Sequence, residues 1–113
     1  MSPVVGKNNQ WCAFLTSKPI QFTAAQIAAG TNLQVINDGA CIYGGVILRA
    51  GAADTIVRVF NQKAPPLDLT DEVPGSRTLV YDGFSNTPIY LDTGLIVSVD
   101  QADAIAWVLY DPL

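Results

Sequence analysis

The sequence predicts an all-β domain, an antiparallel β-sandwich or jelly-roll-like fold with at most one short helix. Short runs rich in β-branched and aromatic residues recur along the 113-residue chain, separated by Gly, Asp and Asn turns. Strict two-residue alternation is clear in the second half of the chain. No βαβ rhythm appears, because only one segment carries the marks of a helix. At this length the expectation is a single sandwich domain over 1–113, with 1–10 as an extended N-terminal arm.

Trp11-Cys12-Ala13-Phe14-Leu15-Thr16 is an apolar run of strand length. Lys18-Pro19 punctuates it, and Ile20-Gln21-Phe22-Thr23 resumes with period-2 alternation. Thr23-Ala24-Ala25-Gln26 matches a capping box, and Gly30 is placed to close a helix of at most two turns. Leu33-Gln34-Val35-Ile36 reads as a strand ending in the turn Asn37-Asp38-Gly39. The apolar stretch 40–49 contains Gly44-Gly45, a pair that signals a bulge or a close backbone approach. After a small-residue turn at 50–54, the β-branched run 55–61 reads as the return arm of a hairpin.

Residues 62–76 differ in character. They hold Pro65, Pro66, Pro74 and Gly75 together with the acidic Asp68, Asp71 and Glu72. Connections this long are uncommon in compact domains and are often functional, although an acidic solvated connector is the plainer reading. Beyond it, Leu79 and Tyr81 alternate with Thr78, Val80 and Asp82, and a turn is expected over 82–86. Ile89 and Leu91 alternate with Tyr90 and Asp92, and Thr93-Gly94 turns the chain. Leu95, Val97 and Val99 oppose Ile96, Ser98 and Asp100, and Gln101-Ala102-Asp103 turns again. Ile105, Trp107 and Leu109 oppose Ala104, Ala106, Val108 and Tyr110. Strands at this spacing spell a sandwich or jelly roll.

Half of the residues are apolar, and only 14% are charged, against roughly 25% in an ordinary domain. Several strands are apolar on both faces, which implies that something shelters the second face. Sibling subunits are the economical answer. The net charge is −4, and the six basic residues are scattered. A nucleic-acid partner needs a concentrated cationic footprint, and anionic lipid needs the same, so neither nucleic acid nor membrane is expected as a partner. The N-terminus lacks the basic start and apolar block of a secretory signal.

The chain contains no histidine, which removes Ser-His-Asp and Cys-His arrangements and the common zinc sites. Its acids sit largely in turns, where Asp serves backbone hydrogen bonding. Asp82 and Asp92 flank neighbouring strands, but solvated strand ends describe them better than a catalytic pair. Asp68, Asp71 and Glu72 could offer oxygens to Ca²⁺, yet their spacing is not that of an EF-hand loop. Gly44-Gly45 precedes a strand and not a helix, so phosphate-cradling readings fail. No enzyme activity, cofactor or metal is expected. Cys12 and Cys41 lie in apolar runs, as two small buried hydrophobes would, with a disulfide between strands as the alternative. Most aromatic residues alternate with aliphatic neighbours and belong to a core or an interface, whereas Phe84 in its expected turn is placed for contact.

The run Tyr43-Gly44-Gly45-Val46-Ile47-Leu48-Arg49-Ala50-Gly51-Ala52-Ala53-Asp54-Thr55-Ile56-Val57-Arg58-Val59-Phe60 resembles a recurrent hairpin of small tailed-phage virion proteins. Tyr81-Asp82-Gly83 matches their middle turn. Leu91-Asp92-Thr93-Gly94-Leu95-Ile96-Val97-Ser98-Val99 and the strand 104–110 resemble their closing elements. The likeness covers about residues 40–110, and the loop 62–76 and the first 40 residues depart from it. It implies a β-sandwich structural protein of a bacteriophage particle: a capsid decoration, head-fibre or tail-associated subunit, often trimeric. Such a chain is made in the host cytoplasm and carried in the virion. Its partners would be itself, as a homotrimer, and other virion proteins. The contact candidates are the N-terminal arm and Pro65, Pro66, Asp68, Asp71, Glu72, Phe84 and Asn86. The alternative function is a carbohydrate- or receptor-binding module, with Tyr81, Phe84, Asn86 and Tyr90 as its groove.

Overall fold

A computed structural model describes residues 16–49, 51, 54–74 and 88–113, together with the backbone of 83–85. The apolar runs pair into two antiparallel sheets. In chain order the elements are β1 (Thr16–Ile20), α1 (Ala24–Ala29), β2 (Leu33–Asn37), β3 (Cys41–Arg49), β4 (Val57–Phe60), a 3-10 turn (Leu69–Asp71), β5 (Gly83–Ser85), β6 (Ile89–Leu91), β7 (Leu95–Val99) and β8 (Ile105–Pro112). Sheet I has the order β1-β8-β3, with β5 and β6 pairing successive parts of the free edge of β3. Sheet II has the order β2-β7-β4. Most successive strands change sheet, and the last strand, β8, returns to lie between β1 and β3. That is the interleaving of a jelly-roll-like sandwich. The all-β expectation, with its single short helix, holds.

The core lies between the sheets. Cys41, Tyr43, Val46 and Leu48 of β3 and Ala106 and Val108 of β8 face Leu95, Val97 and Val99 of β7 and Val57 and Val59 of β4. The alternation read in the sequence sets these faces, since residues two apart on a strand share a side. Tyr43 is 1% exposed, and burial raises the pKa of its hydroxyl well above the usual phenol range. Cys41 is a free, buried thiol whose pKa burial pushes up to about 11, a hydrogen bond from Asn37 acting the other way. Cys12 lies outside the described residues.

Local signals account for several elements. The Thr23 hydroxyl accepts the Gln26 N–H at 3.1 Å while the Gln26 side chain accepts the Thr23 N–H at 2.8 Å. Gly30 closes the helix in the left-handed region at φ 74°. The register against β8 shifts between Tyr43 and Gly45, and Gly45 takes φ 121°, so the glycine pair makes the expected bulge. At the corner from β2 to β3, Asn37 Nδ2 donates to the Gly39 carbonyl at 2.7 Å.

Three expectations are corrected. β3 and β4 do not form a hairpin. Both edges of β3 are occupied, by β8 on one side and β5 and β6 on the other, so β4 pairs with β7 in the opposite sheet. Lys18-Pro19 does not interrupt a strand but lies within β1. That strand is at a sheet edge, where proline's missing N–H is tolerated. Residues 83–85 are not a turn: they pair with Val46, Ile47 and Leu48 as β5, taking hydrogen bonds along the edge of β3.

Candidate functional site

The segment after β4 folds back over the outer face of sheet II. Its organiser is Gln62, which is 9% exposed. Gln62 Nε2 donates to the carbonyls of Ala64 at 3.2 Å and Pro66 at 2.8 Å, and its Oε1 accepts the Asp68 N–H at 2.7 Å. The buried amide thus meets polar demands from both arms of the loop. Asp68 caps the 3-10 turn, its Oδ1 accepting from the Thr70 N–H at 2.9 Å and the Thr70 hydroxyl at 2.7 Å. Those bonds hold its carboxyl below the usual carboxylate range.

The returning chain rejoins the sheet. The Asn61 N–H donates to the Asp71 carbonyl and the Val73 N–H to the Val59 carbonyl, and Phe60 and Glu72 form an isolated bridge. Glu72 binds Arg58 in a two-point contact at 2.8 and 3.2 Å, which raises the Arg58 pKa. Arg58 in turn lies 5.2 Å from the centre of the Phe60 ring. At the far edge, Leu33 of β2 lines an open groove of about 520 Å³ with Pro65, Pro66 and Leu67. Beneath this cover Phe60 and Ile96, on the face turned away from the main core, are fully buried. On the outer face of sheet II, Phe60 and Ile96 are therefore already sheltered within the one chain.

Asn61 ties this loop to the β6–β7 turn. Its Oδ1 accepts the Thr93 N–H at 3.0 Å and the Gly94 N–H at 3.3 Å, and its Nδ2 donates to Asp92 Oδ1 at 2.9 Å. The amide, followed by the Thr93 hydroxyl, keeps the Asp92 carboxyl below its ordinary pKa. A Cβ on Gly94 would stand 2.5 Å from the Gln62 carbonyl oxygen, so the turn must pass there as glycine.

Around Asp71 lie two shallow hollows. One, of about 210 Å³, runs between the loop and β6 past Val73, Pro74, Ile89 and Tyr90. The other, of about 390 Å³, is bordered by Lys63, Asp92 and Thr93. Asp71 and Asn61 border both.

Sheet I presents a different outer face. The antiparallel register puts Pro19, Trp107 and Ile47 in one row across β1, β8 and β3, with Leu109 beside Trp107's row and Ile42 opposite Tyr90 further along. Ile47 is 43% exposed and Tyr90 56%, whereas Trp107, Ile105 and Ile42 are half-buried. Among the described residues, charge enters this face only at Arg49 and Asp111.

Of the residues singled out in the sequence, Pro65 and Pro66 line the groove, Asp68 is a cap, Glu72 is an ion-pair partner, and Asp71 separates the two hollows. The three acids do not converge: no three metal-ligating side chains gather among the described residues. Phe84 falls on β5, but its side chain lies outside the described residues, as do Asn86, Tyr81 and Asp82. Asn61, Gln62 and Arg58 were not anticipated. An amide pair directly after a strand and before a proline-rich loop is the signal that marks the first two.

Fold and surface together define a jelly-roll-like β-sandwich whose sheet II buries Phe60 and Ile96 on its outer face and whose sheet I leaves Ile47 and Tyr90 exposed. No family model, curated protein or solved structure matches the chain.

Proposed function

We propose that this chain is a non-enzymatic structural subunit of a virion, a capsid decoration or fibre-type component that works by homo-oligomerisation and docking on a larger viral assembly. The supporting observation is the outer face of sheet I, where Ile47 stands in the open beside Trp107 and Pro19. A sheet face normally turned to water carries polar side chains at such positions. A face that meets a copy of itself, or its rotated neighbours in a trimer, does best with few charges, since like charges would confront each other. Each exposed apolar side chain covered there contributes about 25 cal/mol per Å² of area removed from water, before association costs.

The strand interleaving adds weight by analogy, because jelly rolls recur among capsid proteins. The absence of histidine and the engagement of Asp68, Glu72 and Asp92 in structural bonds also favour a non-catalytic role. The test is immunogold electron microscopy of tailed-phage particles released by the strain that encodes the chain. Gold on the particles supports the reading. Antigen confined to the soluble lysate, with bare particles, overturns it.

A further inference from the structure

An open sheet edge is a template for another strand, and natural sheets protect their edges. Three of the edges here carry such protection. β1 holds Lys18 and Pro19, β5 and β6 are three residues each, and β4 is closed by the returning chain, whose Val73 N–H donates to the Val59 carbonyl. Among the described residues β2 is the exception: Leu33–Asn37 has no charge and no proline, and it pairs with β7 alone. Register fixes what this edge offers. Val59 turns its backbone groups outward, so Val97 opposite it turns to β2 and meets Gln34, and Leu33 and Val35 turn theirs to the open side. The Leu33 N–H there is used by the Thr31 carbonyl at 2.9 Å, while the Leu33 carbonyl and the Val35 N–H meet no partner among the described residues. A bulge between Val35 and Asn37 ends the regular stretch. What remains lies beside the groove of about 520 Å³ lined by Gly30, Thr31, Leu33, Pro65, Pro66 and Leu67, none of them charged.

We infer that this edge and groove receive the run Trp11–Leu15 of a neighbouring copy, added to β2 as an extra strand. Backbone groups beside an uncharged apolar hollow suit an extended, uncharged, apolar segment. Trp11-Cys12-Ala13-Phe14-Leu15 is such a run in the sequence, and it lies outside the described residues. Its own chain is badly placed to deliver it. Ile20 and Leu33 stand at one end of the sandwich, paired with Ala106 and Ser98 on either side of the turn at 100–104, whereas Thr16, opposite Tyr110, stands at the other. Leu15 is bonded directly to Thr16, roughly 13 Å along β1 from Ile20, so the run has no residues to spare for doubling back to Leu33. The same run of a neighbour carries no such tether. Head-to-tail exchange of this kind closes into a ring, which suits a trimer. Five residues are too few to hold copies together alone, so the inference rests on the self-association proposed above and adds a second contact to it.

The experiment traps the contact through Cys12. Leu33→Cys, Gln34→Cys and Val35→Cys, each in the full chain, are oxidised with glutathione disulfide at micromolar concentration and run on non-reducing gels. At least one should give covalent dimers and trimers, at about fivefold or more the yield of Ala25→Cys on the exposed helix surface. Adding Cys12→Ser should abolish them. Cys41 is buried with a raised pKa and does not compete. In the parent, the Val35 amide should exchange with deuterium roughly tenfold or more slowly than in the folded double variant Trp11→Asp, Phe14→Asp. Sedimentation of the parent separates the two readings. If it assembles, yet no position crosslinks above the Ala25→Cys level, the disulfide forms only within one chain, or the Val35 amide exchanges equally fast in both chains, this inference is overturned and self-association stands. A parent that sediments as one chain overturns both.

Discussion

Two amides do much of the organising at the scale of single residues. Gln62 sits almost out of solvent with both ends of its side chain bonded. Replacing it with Ala leaves the Asp68 N–H and two carbonyls to find other partners, at about 1–3 kcal/mol for each group that remains buried and unmet. Denaturant unfolding of Gln62→Ala should show a loss of that order. Gly94→Ala should cost a similar amount, because the added carbon drives into the Gln62 backbone. Asn61 makes a prediction about protons. Its amide depresses the Asp92 pKa, so the Asp92 contribution is in place at neutral pH and fades as pH falls through the folded-state value. In Asn61→Ala, the Asp92 titration followed by NMR should move upward toward the ordinary carboxylate range. Residue-level features that rest on neighbours in sequence were legible beforehand: the Thr23–Gln26 capping box and the Gly44-Gly45 bulge are both local patterns. Gln62 was not, since its partners meet it only after the loop has closed.

Elements show a different limit. Alternation assigned the faces of β7 and β8 correctly, because period two is a property of the strand itself. It could not say which strand lies beside which. The apolar run 55–61 follows β3 closely enough to look like a hairpin partner, yet occupied edges on β3 send β4 to the other sheet. The loop after β4 shows the same thing from the other side. Its prolines and acids read as a solvated connector, but Pro65, Pro66 and Leu67 reach back to Leu33 like a roof on the outer side of sheet II, where Phe60 and Ile96 are fully buried. If that roof seals the face, Ile96→Ala should destabilise the protein by about 2–5 kcal/mol in denaturant unfolding, as at a core site. A cost under about 1 kcal/mol would mean that the outer face of sheet II is only loosely covered.

At the scale of the whole molecule, low charge and two-sided apolarity were visible in composition and pattern, but not the agent that answers them. A covering loop and a covering sibling leave the same mark on a sequence. The fold separates the cases: sheet II is covered from within, and sheet I keeps Ile47 and Tyr90 in solvent. The contact candidates divide in the same way. Asp68 and Glu72 are engaged by bonds within the loop region, Pro65 and Pro66 line an open groove, and the face proposed for assembly is a row of hydrophobic side chains read only through strand register.

Sedimentation equilibrium at micromolar concentration, run on the parent chain and on Ile47→Lys, tests that surface most directly. The account predicts a mass three times that of one chain for the parent and a single-chain mass for the folded variant. A parent that sediments as one chain across the concentration range, or a variant that assembles undiminished, would contradict it.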